Sequence, residues 1–265
     1  MSSVRQLFLG HAQPILLRLS ILWFLFMGYD SHLSSTAYGQ DATAEPSTGQ
    51  ADASNSIPPA LTEYMGRQIA QTMSFHGAPW LIRDDRELEE KSSLALRQLQ
   101  LEPGMRVCDL GCGNGYWSLM MSRMVGDNGR VLAVDIQPEM LHLLQLRCEE
   151  SNITNIDAIE GTLVDPRLPG GSLDLILLVD VYHEFSHPEQ MLSKMRRALK
   201  DTGVVALLEY REEDPRVPIK PLHKMSKRQI LREYRANGFK LAREFDELPW
   251  QHLMFFQRDP NWQTE

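Results

Sequence analysis

Two stretches of this chain have the residue types and spacing to do chemistry. The first is Val107-Cys108-Asp109-Leu110-Gly111-Cys112-Gly113-Asn114-Gly115. Apolar residues lead into it from Met105 and Asp109 closes the run. Three alternating glycines follow before a helical pattern opens at Tyr116. A buried strand ending in such a turn lets backbone approach a ligand closely. The helix behind it aims its N-terminal amides at the same place. The second stretch is Asp180-Val181-Tyr182-His183-Glu184-Phe185, directly after the apolar run Leu173-Val179. His183 and Glu184 are dense titratable groups in an apolar setting, the condition that marks candidate catalytic residues.

A dinucleotide loop needs G-x-G-x-x-G, with the third glycine packing helix against strand. Gly111 and Gly113 fit, but Tyr116 stands at the third position, and the third glycine is Gly115. A plain strand-to-helix turn would need only one or two glycines. Asp135 closes a second apolar run, Val131-Leu132-Ala133-Val134, about 20 residues past the loop, where an acid binds a ribose diol. The alternative role for Asp135 is a charge at a helix N-terminus.

The order D-x-G-x-G-x-G resembles motif I of the class I S-adenosylmethionine-dependent methyltransferases. The lead-in Leu101-Glu102-Pro103-Gly104-Met105-Arg106-Val107 is similar to that family as well. The resemblance covers about residues 85–257 and implies S-adenosylmethionine as cofactor. It implies cofactor contacts from Asp109, Gly111, Gly113, Gly115, Asp135, Ile136, Thr162 and Asp180. Where the family often has Gly-Asp-Ala, this chain has Gly161-Thr162-Leu163. The adenine contact then falls to Thr162, to backbone near Leu163, or to Asp165. The Asp180-Phe185 stretch resembles motif IV, and it lacks the Asn/Asp-Pro-Pro-Tyr pattern associated with nucleobase amino groups. The chain resembles the small-molecule branch of the family, near the ubiquinone-type methyltransferases, which implies a small-molecule acceptor. His183, with an ordinary pKa of about 6.5, suits a base or orienting group at that acceptor, with Glu184 beside it.

These residues need a scaffold that brings strand ends to one edge. Helical periodicity predicts helices over 59–73 (Leu61, Met65, Ile69, Met73) and 85–99, the latter with Leu88, Ser92, Ala95, Leu96 and Leu99 inward. The resemblance implies that they form a lid over the cofactor, with His76 and Trp80 between them lining the pocket or Trp80 packing the lid down. Beyond, helices and buried strands alternate: helix from Tyr116, strand 131–134, helix from Pro138, strand 156–160, strand 173–179, helix 188–200, strand 204–209. Ser226 and Gln229 form a capping-box pattern before a helix to Asn237. Residues 240–245 and 252–257 read as a closing hairpin. The expected fold is one doubly wound α/β domain, a seven-stranded Rossmann-like sheet with the last strand antiparallel and an N-terminal helical lid. The connection 210–225 carries Pro215, Pro218 and Pro221, and long loops of this kind are often functional. Lys220, His223 and Lys224 in it are candidates for an anionic substrate.

Composition bounds the function. The 265 residues are 43% hydrophobic and 23% charged, ordinary globular usage. A net charge of −8 argues against nucleic-acid or anionic-membrane partners. The cysteines, Cys108, Cys112 and Cys148, are odd in number and show no zinc spacing, so no disulfide framework and no metal is expected.

Arg5 and Arg18 precede an apolar run, Leu19-Tyr29, followed by small residues to Gly39. That is the plan of a secretory signal peptide over residues 1–39, cleaved near Gly39. The run spans about 16 Å as a helix, half of a roughly 30 Å hydrocarbon core, too short for a stable membrane span. Residues 40–58 read as a disordered linker and 59–265 as the methyltransferase domain. Export sits awkwardly with a cytoplasmic cofactor, so a cytoplasmic or tethered protein stays open. The alternative functions are a non-catalytic S-adenosylmethionine-binding or periplasmic binding module, and a nicotinamide oxidoreductase, against which Tyr116 argues.

Overall fold

The computed structural model describes residues 57–263. The expected signal peptide and nearly all of the expected linker lie outside the described residues. No helix among the described residues is long and apolar enough to cross a membrane.

The apolar runs form a seven-stranded sheet in the order β5-β4-β3-β6-β7-β9-β8. Its strands are β3 (Arg106–Leu110), β4 (Arg130–Asp135), β5 (Ile156–Glu160), β6 (Leu173–Val179), β7 (Leu199–Tyr210), β8 (Phe239–Phe245) and β9 (Gln251–Arg258). The pairs from β5 through β7 are parallel, while β9 runs antiparallel to both its neighbours. Doubly wound helices cover both faces, which is why the central strands carry no polar face. Alternate residues of β3, β4, β6 and β7 point to opposite sides. Cys108, Leu132, Ile176 and Val205 meet α5 (Pro188–Ala198) and α6 (Lys227–Ala236). Val107, Val131, Leu175 and Ala206 meet α2 (Ser92–Gln98) and α3 (Tyr116–Val125). Each such Val, Leu or Ile contributes about 1.5–3 kcal/mol on full burial, so this two-sided core carries the fold. The helix α4 (Pro138–Glu150) starts with proline at its first position, as its sequence predicts.

The N-terminal lid departs from expectation. Residues 59–73 form no helix. Instead β1 (Glu63–Tyr64) and β2 (Arg67–Gln68) make a hairpin around Met65 and Gly66, both at positive φ. Glycine relieves the second of these positions. Leu61, one of the four periodic residues, is exposed. The hairpin is held by charge rather than by an apolar stripe. Arg67 forks onto the buried Glu233 of α6 at 2.8 and 3.0 Å, and Tyr182 Oη donates to the same carboxylate at 2.7 Å. A 3-10 segment, Phe75–Ile82, follows.

The helix expected over 85–99 breaks at Lys91, which sits at φ 50°, into α1 (Arg86–Glu90) and α2. Leu88, expected inward, is 78% exposed. Arg86 and Glu90 take the inner positions, tied to each other at 2.8 Å, with Arg83 and Tyr210 Oη also on Glu90. The capping box at α6 is absent too: Ser226 makes no side-chain cap bond, and Gln229 bonds Met65 O and Glu233.

Two predictions follow from these buried charges. Glu233→Ala removes one side of a buried ion pair and strands Arg67, so it should destabilise the domain by about 3–5 kcal/mol, read by denaturant unfolding. Asp109, buried behind the glycine loop, accepts from Ser118 Oγ at 2.6 Å. Burial raises its pKa to about 6, against the lowering effect of Ser118. A carboxyl with a raised folded pKa contributes stability that is full below its unfolded value and is lost as pH rises through about 6. Asp109→Asn should therefore flatten the stability profile between about pH 4 and 6. Unfolding midpoints of both proteins across that range check it.

Candidate active site

At the carboxyl ends of the parallel strands lies a cavity of about 460 Å³, within the usual size for a small-molecule site. Its floor is the loop after β3. Gly111 N and Cys112 N both donate to Val134 O, at 2.8 and 2.9 Å, which folds the loop over the end of β4. Gly111, Gly113 and Gly115 all have positive φ. A Cβ at Gly111 would stand 2.4 Å from Val181, and one at Gly115 would stand 2.2 Å from Leu144. Gly111 and Gly113 line the cavity, while Gly115 lies outside its lining. Gly115 caps α3, and a Cβ there would collide with Leu144 of α4. Asp109 is likewise outside the lining, occupied by Ser118.

Asp135 stands at the cavity wall. Its Oδ2 accepts from Gly113 N and its Oδ1 from Gln137 N, both at 2.9 Å. Burial raises its pKa, against the lowering effect of those amides. Each carboxylate oxygen keeps acceptor capacity for a further donor. Ile136 lies beside it, partly exposed in the cavity. Thr162 and Leu163 also line it, but the Thr162 hydroxyl is engaged by its own loop, accepting from Asp165 N at 2.9 Å. Asp165 is turned away onto Lys194 at 2.5 Å and is outside the lining. Next to Leu163, Val164 N also donates to Thr162 Oγ1, at 3.3 Å.

Asp180 follows β6 at φ 53°, held by its N–H on Leu208 O at 2.9 Å. Gln251 donates to its Oδ2 at 2.6 Å, while its buried Oδ1 has no partner among the described residues. Burial and the neighbouring Glu90 and Glu209 carboxylates push its pKa well up.

His183 and Glu184 sit on the 3-10 turn Tyr182–Glu184, at the far end of the same cavity. His183 is buried, and its Nδ1 lies 2.6 Å from Glu209 Oε2. Burial alone would lower its pKa, but the charge and hydrogen bond of Glu209 more than offset that, and the net shift is upward. Its Nε2 lies 3.0 Å from His223 Nδ1, on the 3-10 turn Pro221–His223. Burial raises Glu184 to about 7, and its Oε1 accepts from Met73 N at 3.2 Å. Burial and the nearby His183 lower His223.

Other candidates divide. Lys220 lines the cavity with His223, whereas Lys224 Nζ is spent on Val217 O at 2.6 Å. Trp80 lines it, with Arg83 stacked 3.9 Å above its ring, and His76 does not. Sequence reasoning missed Glu209, Tyr210, Arg86 and Gln251. Glu209 carried a legible signal: it ends an apolar run, Val204-Leu208, as Asp135 and Asp180 end theirs.

Comparison with known proteins agrees with this layout. Residues 107–203 match a family model described as a methyltransferase domain. The demethylmenaquinone methyltransferase of Listeria welshimeri is 26% identical over 123 residues, covering 46% of this chain and 51% of that protein. That of Alkalihalophilus pseudofirmus is 23% identical over 156 residues, covering 58% and 64%. The chain thus spans about half the length of the first of these relatives. A SAM dependent methyltransferase from Aquifex aeolicus superposes with a TM-score of 0.67 at 21% identity, over 71% of this chain and all of that one. The [4+2]-cyclase SpnF superposes at 0.55 and 15% identity, over 64% and 80%. The two solved structures speak for the fold alone. The family-model match is confined to residues 107–203, the relatives align over part of their own length, and the solved structures share the fold.

Proposed function

We propose that this chain binds S-adenosylmethionine across the carboxyl ends of β3, β4 and β6 and methylates a small molecule. The carrying observation is that Gly111, Gly113, Asp135, Asp180 and His183 border one cavity. The residues present fit the cofactor. Asp135 can accept from ribose hydroxyls while holding the loop. Asp180 Oδ1, buried without a partner, suits the ammonium of the methionine part. Gly111 and Gly113 keep side chains out of the approach. When bound, the cofactor supplies a methyl group on a sulfonium that is already a good leaving group.

The protein's task is then mainly alignment of acceptor atom, methyl carbon and sulfur. Trp80, Leu81 and Met73 line the cavity from the lid. Gln137 pins that lid, accepting from Phe75 N at 2.8 Å and donating to Met73 O at 2.9 Å. His183, with Glu209 on its Nδ1 and His223 against its Nε2, stands at the acceptor end. Lys220 adds positive charge there, favouring an acceptor with a negative group. The demethylmenaquinone methyltransferases that the chain resembles support a small-molecule acceptor.

Calorimetry should detect S-adenosylmethionine binding and none for NAD. His183→Ala should leave that affinity nearly unchanged and lower turnover per folded molecule by about 10²- to 10⁴-fold. Turnover is read with labelled S-adenosylmethionine and an extract of the source cells, with melting measured alongside. Cofactor binding with no methylated product in any extract would favour the non-catalytic module.

A further inference from the structure

No zinc-type spacing of cysteines or histidines appears along the chain, yet the fold assembles a ligand set from two separate segments. His183 and Glu184 come from the turn after β6. His223 arrives from the proline-rich connection between β7 and α6. Their donor atoms all lie within 4.8 Å of one another. His183 Nε2 is 3.0 Å from His223 Nδ1, and Glu184 Oε1 is 3.9 Å from each nitrogen. Metal–ligand bonds of about 2.0–2.2 Å in a tetrahedron put ligand atoms about 3.3–3.6 Å apart. The observed triangle brackets that spacing, so shifts of a few tenths of an ångström would complete it.

We propose that His183, Glu184 and His223 bind a divalent cation of the zinc class at the acceptor end of the cavity. A hydrogen bond between the two imidazoles accounts for the 3.0 Å contact, and Met73 N holds Glu184 Oε1 at 3.2 Å. That oxygen stands 3.9 Å from both nitrogens, beyond hydrogen-bond reach of either, and a cation between the three atoms would meet all of them. The surroundings are built as metal sites are. Glu209 engages Nδ1 of His183, which fixes the tautomer and leaves the Nε2 lone pair for a cation, the carboxylate–histidine arrangement that orients metal ligands. Met73 N holds Glu184. Glu184 and Glu209 bring two carboxyl groups to this end of the fold, facing Lys220 in the cavity lining and Arg67, whose Nη1 donates to His183 O at 2.9 Å. Two histidines and one glutamate leave a fourth position open, the pattern of catalytic rather than structural zinc.

What the cation does rests on the methyltransferase reading, although its binding does not. An acceptor thiol or hydroxyl would take the fourth position as its anion, with its proton released to solvent. The acceptor lone pair then forms the new bond to the methyl carbon as the carbon–sulfur bond breaks, and that electron pair stays on the sulfur of the departing thioether.

The test uses the full chain, treated with chelator and titrated with cobalt(II) as a spectroscopic stand-in. We expect the visible absorption of tetrahedral cobalt to saturate at one equivalent and to be displaced by zinc. Glu184→Gln and His223→Ala should each weaken cobalt binding by at least about 10-fold. Their melting temperatures show whether they fold; His223 is half-exposed and Gln keeps the shape of Glu184. Absence of a saturating band, or wild-type affinity in both folded variants, overturns the proposal. Calorimetry of S-adenosylmethionine on the same chelated protein separates the two readings. Cofactor binding without cobalt binding sinks only the cation site. Cobalt binding without cofactor binding sinks only the methyltransferase reading.

Discussion

Asp135 holds the backbone amides of Gly113 and Gln137, each at 2.9 Å, and the carboxyl edge of the sheet is organised around that clamp. One amide belongs to the glycine loop after β3 and the other to the start of α4. The single carboxylate therefore fixes the loop relative to the helix that follows the neighbouring strand. Gln137 then extends the clamp through its side chain to Met73 and Phe75, and so to the lid. Met73 N in turn reaches Glu184. A short chain of hydrogen bonds thus runs from the loop floor, through the lid, to the acceptor end.

The same edge collects acids. Asp109, Asp135, Asp180 and Glu209 all lie at or next to the carboxyl ends of adjacent parallel strands. Burying a carboxylate is costly unless donors meet it. Asp109 is met by Ser118, Asp135 by two amides, and Glu209 by the N–H and ring of His183. Asp180 keeps one oxygen unmet. Where a scaffold leaves a buried polar atom without a partner in a ligand-sized cavity, the ligand is the natural donor. Asp135 both holds the loop and lines the cavity, and of the four acids Asp180 is the one with a buried oxygen left without a partner among the described residues.

Most of the sheet was legible because its strands are short apolar runs ended by an acid or a glycine turn. β5 and β6 fall where the pattern places them, and α4 begins at its proline. The lid was not legible. Leu61, Met65, Ile69 and Met73 keep a helical spacing, yet the hairpin wins through Arg67 on Glu233, an ion pair 166 residues apart in sequence. α1 misled for a similar reason: its inner face is Arg86 and Glu90, so a rule that turns leucines inward picked Leu88. At the site, Gly111, Gly113, Asp135 and His183 were readable from local context. The conjunction of His183 with Glu209 and His223 was not, because it depends on pairing of β6 with β7 and on the path of a proline-rich loop. Gly115 and Asp109 belong to the recognised pattern, but the pattern does not say whether a residue touches ligand or braces the loop.

The most direct measurement is a crystal structure of the full chain with S-adenosylhomocysteine. The account predicts the ribose hydroxyls within hydrogen-bond distance of Asp135, the ammonium on Asp180 Oδ1, and the sulfur facing the His183 end of the cavity. A ligand seated elsewhere, or one whose ribose lies away from Asp135 with Asp180 Oδ1 still unpartnered, would contradict it.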